Sequence, residues 1–334
     1  MNSKQQLYEI TILRPFIIGM LVFMHSFTMY GGSWEFPEGI HSISAYWWVA
    51  KVSFSCLLET FVFISGYLLC FQMQNKGITF FSLIQNKAKR IYLPCIVFSI
   101  IYFCCFKTYT TLPKFLYSLL NGCGHLWFLP MLFWCFIGGY LLLKARIPEW
   151  SKIVLLVALS LFSKQLSFLP FRIGNSCYYL LFFYIGSIIY THKDNILCFF
   201  TKKKIVWLVV GYATTMILGL LLLRYLQSID SNIPSQHIAI MLAETAVKVL
   251  YAILGTMVLY LIANHIPNKQ QYTNIISTLN MCSFSIYIYH QFILEYLYYH
   301  TTLPQMVGSL WLPWIGFFAT ITFTILYSYT TKKI

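Results

Sequence analysis

An arginine and a histidine stand eleven residues apart in an otherwise apolar stretch, LRPFIIGMLVFMHSF, as Arg14 and His25. At 100° per residue eleven steps make about three turns, so both side chains share one helix face, roughly 16 Å apart along the axis. Ionisable groups at membrane depth are costly and usually face a bundle interior or a substrate path. A cation near the start of a spanning helix, with a proton-transfer residue deep within it, is the pattern of a reaction centre inside a membrane bundle. An arginine anchored in the headgroups and a histidine packed on a neighbouring helix would give the same spacing.

Five further places break the apolar pattern. LETFVFISGYLL places Glu59 in an apolar run and closes it with Ser65-Gly66, where a second backbone can approach closely. The alternative there is a packing notch beside a paired carboxylate. NKAKRIYLPC sets Lys87, Lys89 and Arg90 before Pro94. Such a cluster is either a topology determinant held by anionic lipid or a grip on a phosphate-bearing ligand. GHLWFLPML carries His125 and Trp127 at a span boundary, where tryptophan is a common anchor and a histidine could line a cavity mouth. Glu244 and Lys248, four apart, have the order of an intrahelical ion pair. CSFSIYIYHQFILEYLYYH puts His290 in mid-span, with Tyr287 one turn before it and Glu295 one turn after, a combination that can handle protons or simply satisfy itself in a core.

The elements that must position these residues follow from composition. Of 334 residues 59% are hydrophobic and only 10% charged, with a mean hydropathy of +0.69. A soluble domain carries about 25% charged residues, and the long apolar runs identify an all-α, polytopic integral membrane bundle. We expect about ten transmembrane helices, near 11–30, 45–71, 91–106, 126–143, 153–169, 177–191, 205–226, 238–263, 282–299 and 307–329, forming a single membrane-embedded domain over 1–334. The first run continues too far for a signal-peptide core and lacks a small-residue cleavage site, so it reads as a permanent span.

The net charge of +14 is explained by topology rather than by nucleic acid. Sixteen Lys and Arg fall on one set of connecting segments; only Lys107, Lys114, Lys164, Arg172 and Arg224 fall on the other. The positive-inside rule then predicts both termini in the cytoplasm. The ten cysteines contain no CxxC and read as small hydrophobes, and neither a metal-ligand spacing nor a phosphate-cradling glycine loop is present.

Taken in order, these positions resemble the membrane-bound acyltransferase family 3, polytopic enzymes that O-acylate bacterial polysaccharides and related glycans. The family's first-helix arginine and histidine correspond to Arg14 and His25, and its acidic-aromatic stretch closed by Ser-Gly corresponds to ETFVFISGYLL. Its basic run before proline is matched by KAKRIYLP, and HLWFL, FFYIG (182–186) and SFSIYIYH (283–290) follow. The chain departs from the pattern at Pro15, where glycine is common, at Glu59, where aspartate is more frequent, and at the basic run, where Lys87 stands in for a second arginine. It resembles the short, membrane-only members that have no appended extracellular domain.

The resemblance implies a multi-pass protein of the bacterial inner (cytoplasmic) membrane with acyl-CoA, most often acetyl-CoA, as donor substrate. No bound cofactor or metal is expected. The acceptor would be a sugar hydroxyl of a surface polysaccharide or its lipid-linked precursor. The donor's phosphates would stay near Lys87, Lys89 and Arg90 while its pantetheine arm passes Arg14 toward His25. His25 would act as general base or as an acyl carrier. Glu59 would orient it or hold its imidazolium, and Arg14 would bind the donor or the oxyanion. Ser65, His125, Trp127, Tyr287 and His290 are the expected substrate-contacting residues. The competing class is a glycan transporter or flippase, which would tolerate loss of His25.

Overall fold

The computed structural model describes residues 7–106, 111–229, 234–266 and 270–331, without the side chains of 227, 234, 270–275 and 328–331. Lys4, Lys107, Lys269, Lys332 and Lys333, which entered the charge count, lie outside the described residues. Among those described there is no strand. The helices are α1 (Tyr8–Ser26), α2 (Ser44–Phe54), α3 (Leu57–Lys76), α4 (Phe80–Lys87), α5 (Leu93–Phe106), α6 (Leu112–Asn121) and α7 (Phe128–Lys144). They continue with α8 (Glu149–Leu161), α9 (Ile173–Thr191), α10 (Lys193–Phe199), α11 (Lys202–Ser228), α12 (Pro234–His265), α13 (Gln270–Tyr299) and α14 (Leu303–Thr331).

Eight described segments are long and apolar enough to cross a membrane, which takes about 20 residues of helix. Two expected spans are not among them, for different reasons. α13 has 30 residues, but Tyr, Ser, His290 and Gln291 make it less apolar than the rest. α8 has only 13 residues, about 20 Å of helix.

Helix directions nevertheless place both alongside the spanning helices. Met131 of α7 accepts from Ser176 of α9, and Phe136 further along α7 meets Phe183 further along α9, so these two helices run parallel. One crossing must therefore lie between them. Glu149 at the start of α8 meets Tyr184, and the Leu166 carbonyl lies against Gly174, so residues 149–169 run antiparallel to α9. Beyond Leu161 that crossing is completed by turns whose backbone bonds are closed locally, such as Leu166 N–H to Phe162 O (3.2 Å) and Leu169 N–H to Leu166 O (3.1 Å). In the same way Arg14 meets Asn280 and His25 meets His290, so α1 and α13 run parallel and an odd number of crossings separates them. These directions agree with the order of the expected spans, of which eight are long and apolar enough on their own.

The chain forms two compact units, residues 1–58 with 255–334, and residues 59–254. In the first, α1 packs mainly on α13 and α13 on α14. Its aromatic core joins Phe27, Tyr30, Tyr46 and Tyr298 with Ile40 and Leu312. In the second, α9 is the central helix, packed on α7 and α8. α3 crosses α9 so closely that a Cβ at Gly66 would lie 1.8 Å from the Phe183 carbonyl oxygen, and one at Gly186 2.1 Å from that of Phe63. The Ser65-Gly66 notch is thus a helix-crossing device. The Ser65 hydroxyl itself donates back to the Phe61 carbonyl (3.1 Å).

Candidate active site

The first unit brings four of the predicted residues together, all on the facing surfaces of α1 and α13. Arg14 donates from Nη1 to the Asn280 side-chain oxygen (3.3 Å), the one hydrogen bond its side chain makes among the described residues. Near the other end of α1, the His25 and His290 rings lie 4.8 Å apart between centroids, inclined at 50°. Tyr287 is buried one turn before His290, with its ring 6.1 Å away. Asn280, Tyr287 and His290 follow at steps of seven and three, so one stripe of α13 faces the arginine–histidine stripe of α1.

Hydrogen bonds orient the two rings. His290 Nδ1 lies 2.7 Å from the Tyr287 carbonyl oxygen and 3.2 Å from that of Ile286. Carbonyls only accept, so Nδ1 carries the hydrogen and Nε2 the lone pair. His25 Nδ1 lies 3.4 Å from the Thr28 hydroxyl, which in turn donates to the Met24 carbonyl (3.2 Å). The Thr28 hydroxyl thus links the imidazole to the last turn of α1. The His290 ring is thus oriented by the backbone of α13 one turn earlier, and the His25 ring meets the hydroxyl that follows α1. The end of α1 is held in turn by the buried Tyr298 hydroxyl, which donates to the Ser26 carbonyl (3.0 Å).

Three residues of this arrangement were not foreseen: Asn280, Thr28 and Trp34. Trp34 follows the 3₁₀ turn Thr28–Gly31, and its ring lies 6.4 Å from that of His25. Histidine followed three residues later by threonine is a local capping pattern that could have flagged Thr28. Trp34 and Asn280 carry no such signal, because each reaches the site through tertiary packing.

The remaining predicted residues belong to the second unit. Glu59 accepts from the Tyr178 hydroxyl (3.0 Å) and interacts electrostatically with Lys248. Lys89 and Arg90 are exposed on a π-helical turn, Ala88–Tyr92, between α4 and α5. Lys87 stands just before it with Nζ 3.6 Å from the Phe136 ring centre. π-Helical turns recur at functional sites because the extra residue splays side chains out of helical register. His125 and Trp127 share the 3₁₀ turn Gly124–Trp127; His125 is buried, and Trp127 packs near Tyr179 (6.2 Å). Glu244 pairs with Lys164 at 2.5 Å rather than serving only its own helix. Among the described residues no cluster of three or more His, Cys, Asp or Glu is placed to hold a metal ion.

Two facing imidazoles, and an arginine about three turns away along the same helix, can take a proton from a hydroxyl and stabilise a negative charge. Compared with known families, residues 7–332 match the acyltransferase domain of acyltransferase family 3. Neither curated proteins nor solved structures give a match to the chain. The family match takes in nearly the whole chain and both compact units, so this multi-pass membrane protein belongs to acyltransferase family 3.

Proposed function

We propose that the protein transfers an acetyl or other short acyl group from acyl-CoA to a sugar hydroxyl of a surface glycan or its lipid-linked precursor, in the bacterial inner membrane. The observation that carries this reading is the facing His25–His290 pair in a chain of an acyltransferase family. The acceptor hydroxyl attacks the thioester carbonyl while His25 takes its proton. The new C–O bond forms, the C–S bond breaks, and the departing thiolate recovers the proton from His25. The tetrahedral intermediate carries an oxyanion, and a guanidinium such as that of Arg14 stabilises it or holds the donor. Tyr287 and His290 line the reacting pocket.

Lys87, Lys89 and Arg90 bind the donor's phosphates, for which a flexible ammonium and a planar fork are suited. Glu59, Ser65, His125 and Trp127 match the family's motif positions and are the further residues assigned to substrate handling. The basic segments, and with them both chain ends, face the cytoplasm, where acyl-CoA is made. The test is release of free coenzyme A from acetyl-CoA by the purified chain in nanodiscs, with and without a surface-glycan extract of the producing cells. Glycan-stimulated release supports the reading; folded protein that neither binds nor consumes the donor overturns it.

A further inference from the structure

The segment after α1, residues 32–43, is pinned at Glu35 and His41, and the residues flanking it are anchored at Tyr30 and Tyr46. Tyr30 donates to the Ser309 carbonyl (2.6 Å), Tyr299 to the Glu35 carbonyl (2.7 Å), the His41 N–H to Ser309 Oγ (2.8 Å) and Tyr46 to the Leu310 carbonyl (2.8 Å). Its entry is set by Gly32 at φ 80°, a left-handed conformation open to glycine without a Cβ penalty. The segment thus has the fixed shape of a platform. Preorganisation of this kind spares a ligand the entropy of ordering its site.

Trp34 sits on this platform with its ring 6.4 Å from the His25 ring. Tyr298 and Tyr299 brace it edge-on at 6.3 and 5.9 Å. The indole is only half-buried, and its N–H donates to nothing among the described residues. Glu35 and Glu38 are exposed on the same segment, which contains no Lys or Arg.

An aromatic face, a spare N–H donor and two carboxylates beside a general base fit one kind of ligand. A pyranose ring offers C–H groups to the indole face and vicinal hydroxyls to a carboxylate. A phosphate or nucleotide, by contrast, meets two carboxylates, while the Lys51 ammonium at the entry to the segment is held by the Gly31 carbonyl (2.9 Å). We infer that Trp34 is the binding platform of the acceptor subsite, seating an uncharged or amino sugar ring so that its hydroxyl reaches His25. This inference rests on the acyltransferase reading above and adds where the acceptor lies and what charge it carries there.

The experiment compares wild type, Trp34→Phe and Trp34→Ala in nanodiscs, using the surface-glycan extract as acceptor and acetyl-CoA as donor. Loss of a stacked ring raises the half-saturating glycan concentration about tenfold in Trp34→Ala, equivalent to ~1.4 kcal/mol. Trp34→Phe keeps most of the affinity, and the half-saturating acetyl-CoA concentration and the thermal shift given by acetyl-CoA stay at the wild-type level in both variants. Unchanged glycan saturation in Trp34→Ala overturns the subsite while leaving the reaction intact. So does an equal loss of donor binding. Wild-type protein that binds acetyl-CoA but acylates no glycan overturns the proposed function itself.

Discussion

Replacing Gly66 with alanine tests how closely α3 and α9 must approach. The added Cβ would stand 1.8 Å from the Phe183 carbonyl oxygen and 2.7 Å from its carbon. A comfortable carbon–oxygen contact is about 3.3 Å, so the shortfall is about 1.5 Å. Both obstructing atoms are backbone and cannot rotate away, so the helices must separate. Separation also stretches the bond from Ser187 Oγ to the Gly66 carbonyl, now 3.1 Å. Overpacking of this kind costs roughly 1–3 kcal/mol or more, an interhelical hydrogen bond in a membrane is worth about 0.6, and the better helix propensity of alanine returns up to ~1.

The matched control is Gly211→Ala on α11, where a Cβ would meet nothing within 4 Å and only the propensity gain applies. The two variants should differ in unfolding free energy by roughly 2–4 kcal/mol, with Gly66→Ala the less stable. Thermal or denaturant unfolding of the purified proteins in one detergent gives the comparison. Gly186→Ala, whose Cβ would lie 2.1 Å from the Phe63 carbonyl oxygen, should behave like Gly66→Ala. The double variant should cost less than the two effects added, because both push on one crossing. Equal stability of Gly66→Ala and Gly211→Ala would refute the close crossing.

Two further outcomes follow from the charged residues. Lys152, at 2.9 Å, and then the Tyr184 hydroxyl hold the Glu149 carboxyl below its ordinary range. A depressed carboxyl contributes stability that is present above its unfolded value and is lost as pH falls through the folded one. Glu149→Gln should therefore destabilise modestly at neutral pH, since the carboxylate is well exposed although Lys152 is buried, and match wild type in acid below the carboxylate range; a pH series of melting temperatures checks this. Arg90→Ala should raise the half-saturating acetyl-CoA concentration by about tenfold, and by less for a donor lacking the ribose phosphate, since charge-assisted contacts are worth about 1.5–3 kcal/mol.

The part of the site written in local spacing was legible. Arg14 and His25 share a face by helical arithmetic alone, and Tyr287 and His290 do the same on α13, so the sequence placed four of the residues that the structure gathers. Asn280 and Trp34 were not legible, because one is an ordinary amide on a long helix and the other enters from a connecting segment held by Tyr299 and Ser309. The expected 153–169 span corresponds to a helix that stops at Leu161 and continues in turns, a break that hydropathy alone does not mark. Glu244 and Lys248 show the limit of the method: their spacing suits an intrahelical pair, yet Glu244 reaches Lys164, a long-range partner that no local pattern encodes.

The central claim is that His25 is the base of an acyl transfer. Labelled acetyl-CoA supplied to the purified chain in nanodiscs, with surface-glycan extract as acceptor, measures it directly in wild type and His25→Ala. The account predicts glycan-bound label from the wild type, with loss of a general base lowering its rate by roughly 10²–10⁴-fold in a variant that still inserts, folds and shows the acetyl-CoA thermal shift. Near-normal label transfer by folded His25→Ala would contradict it.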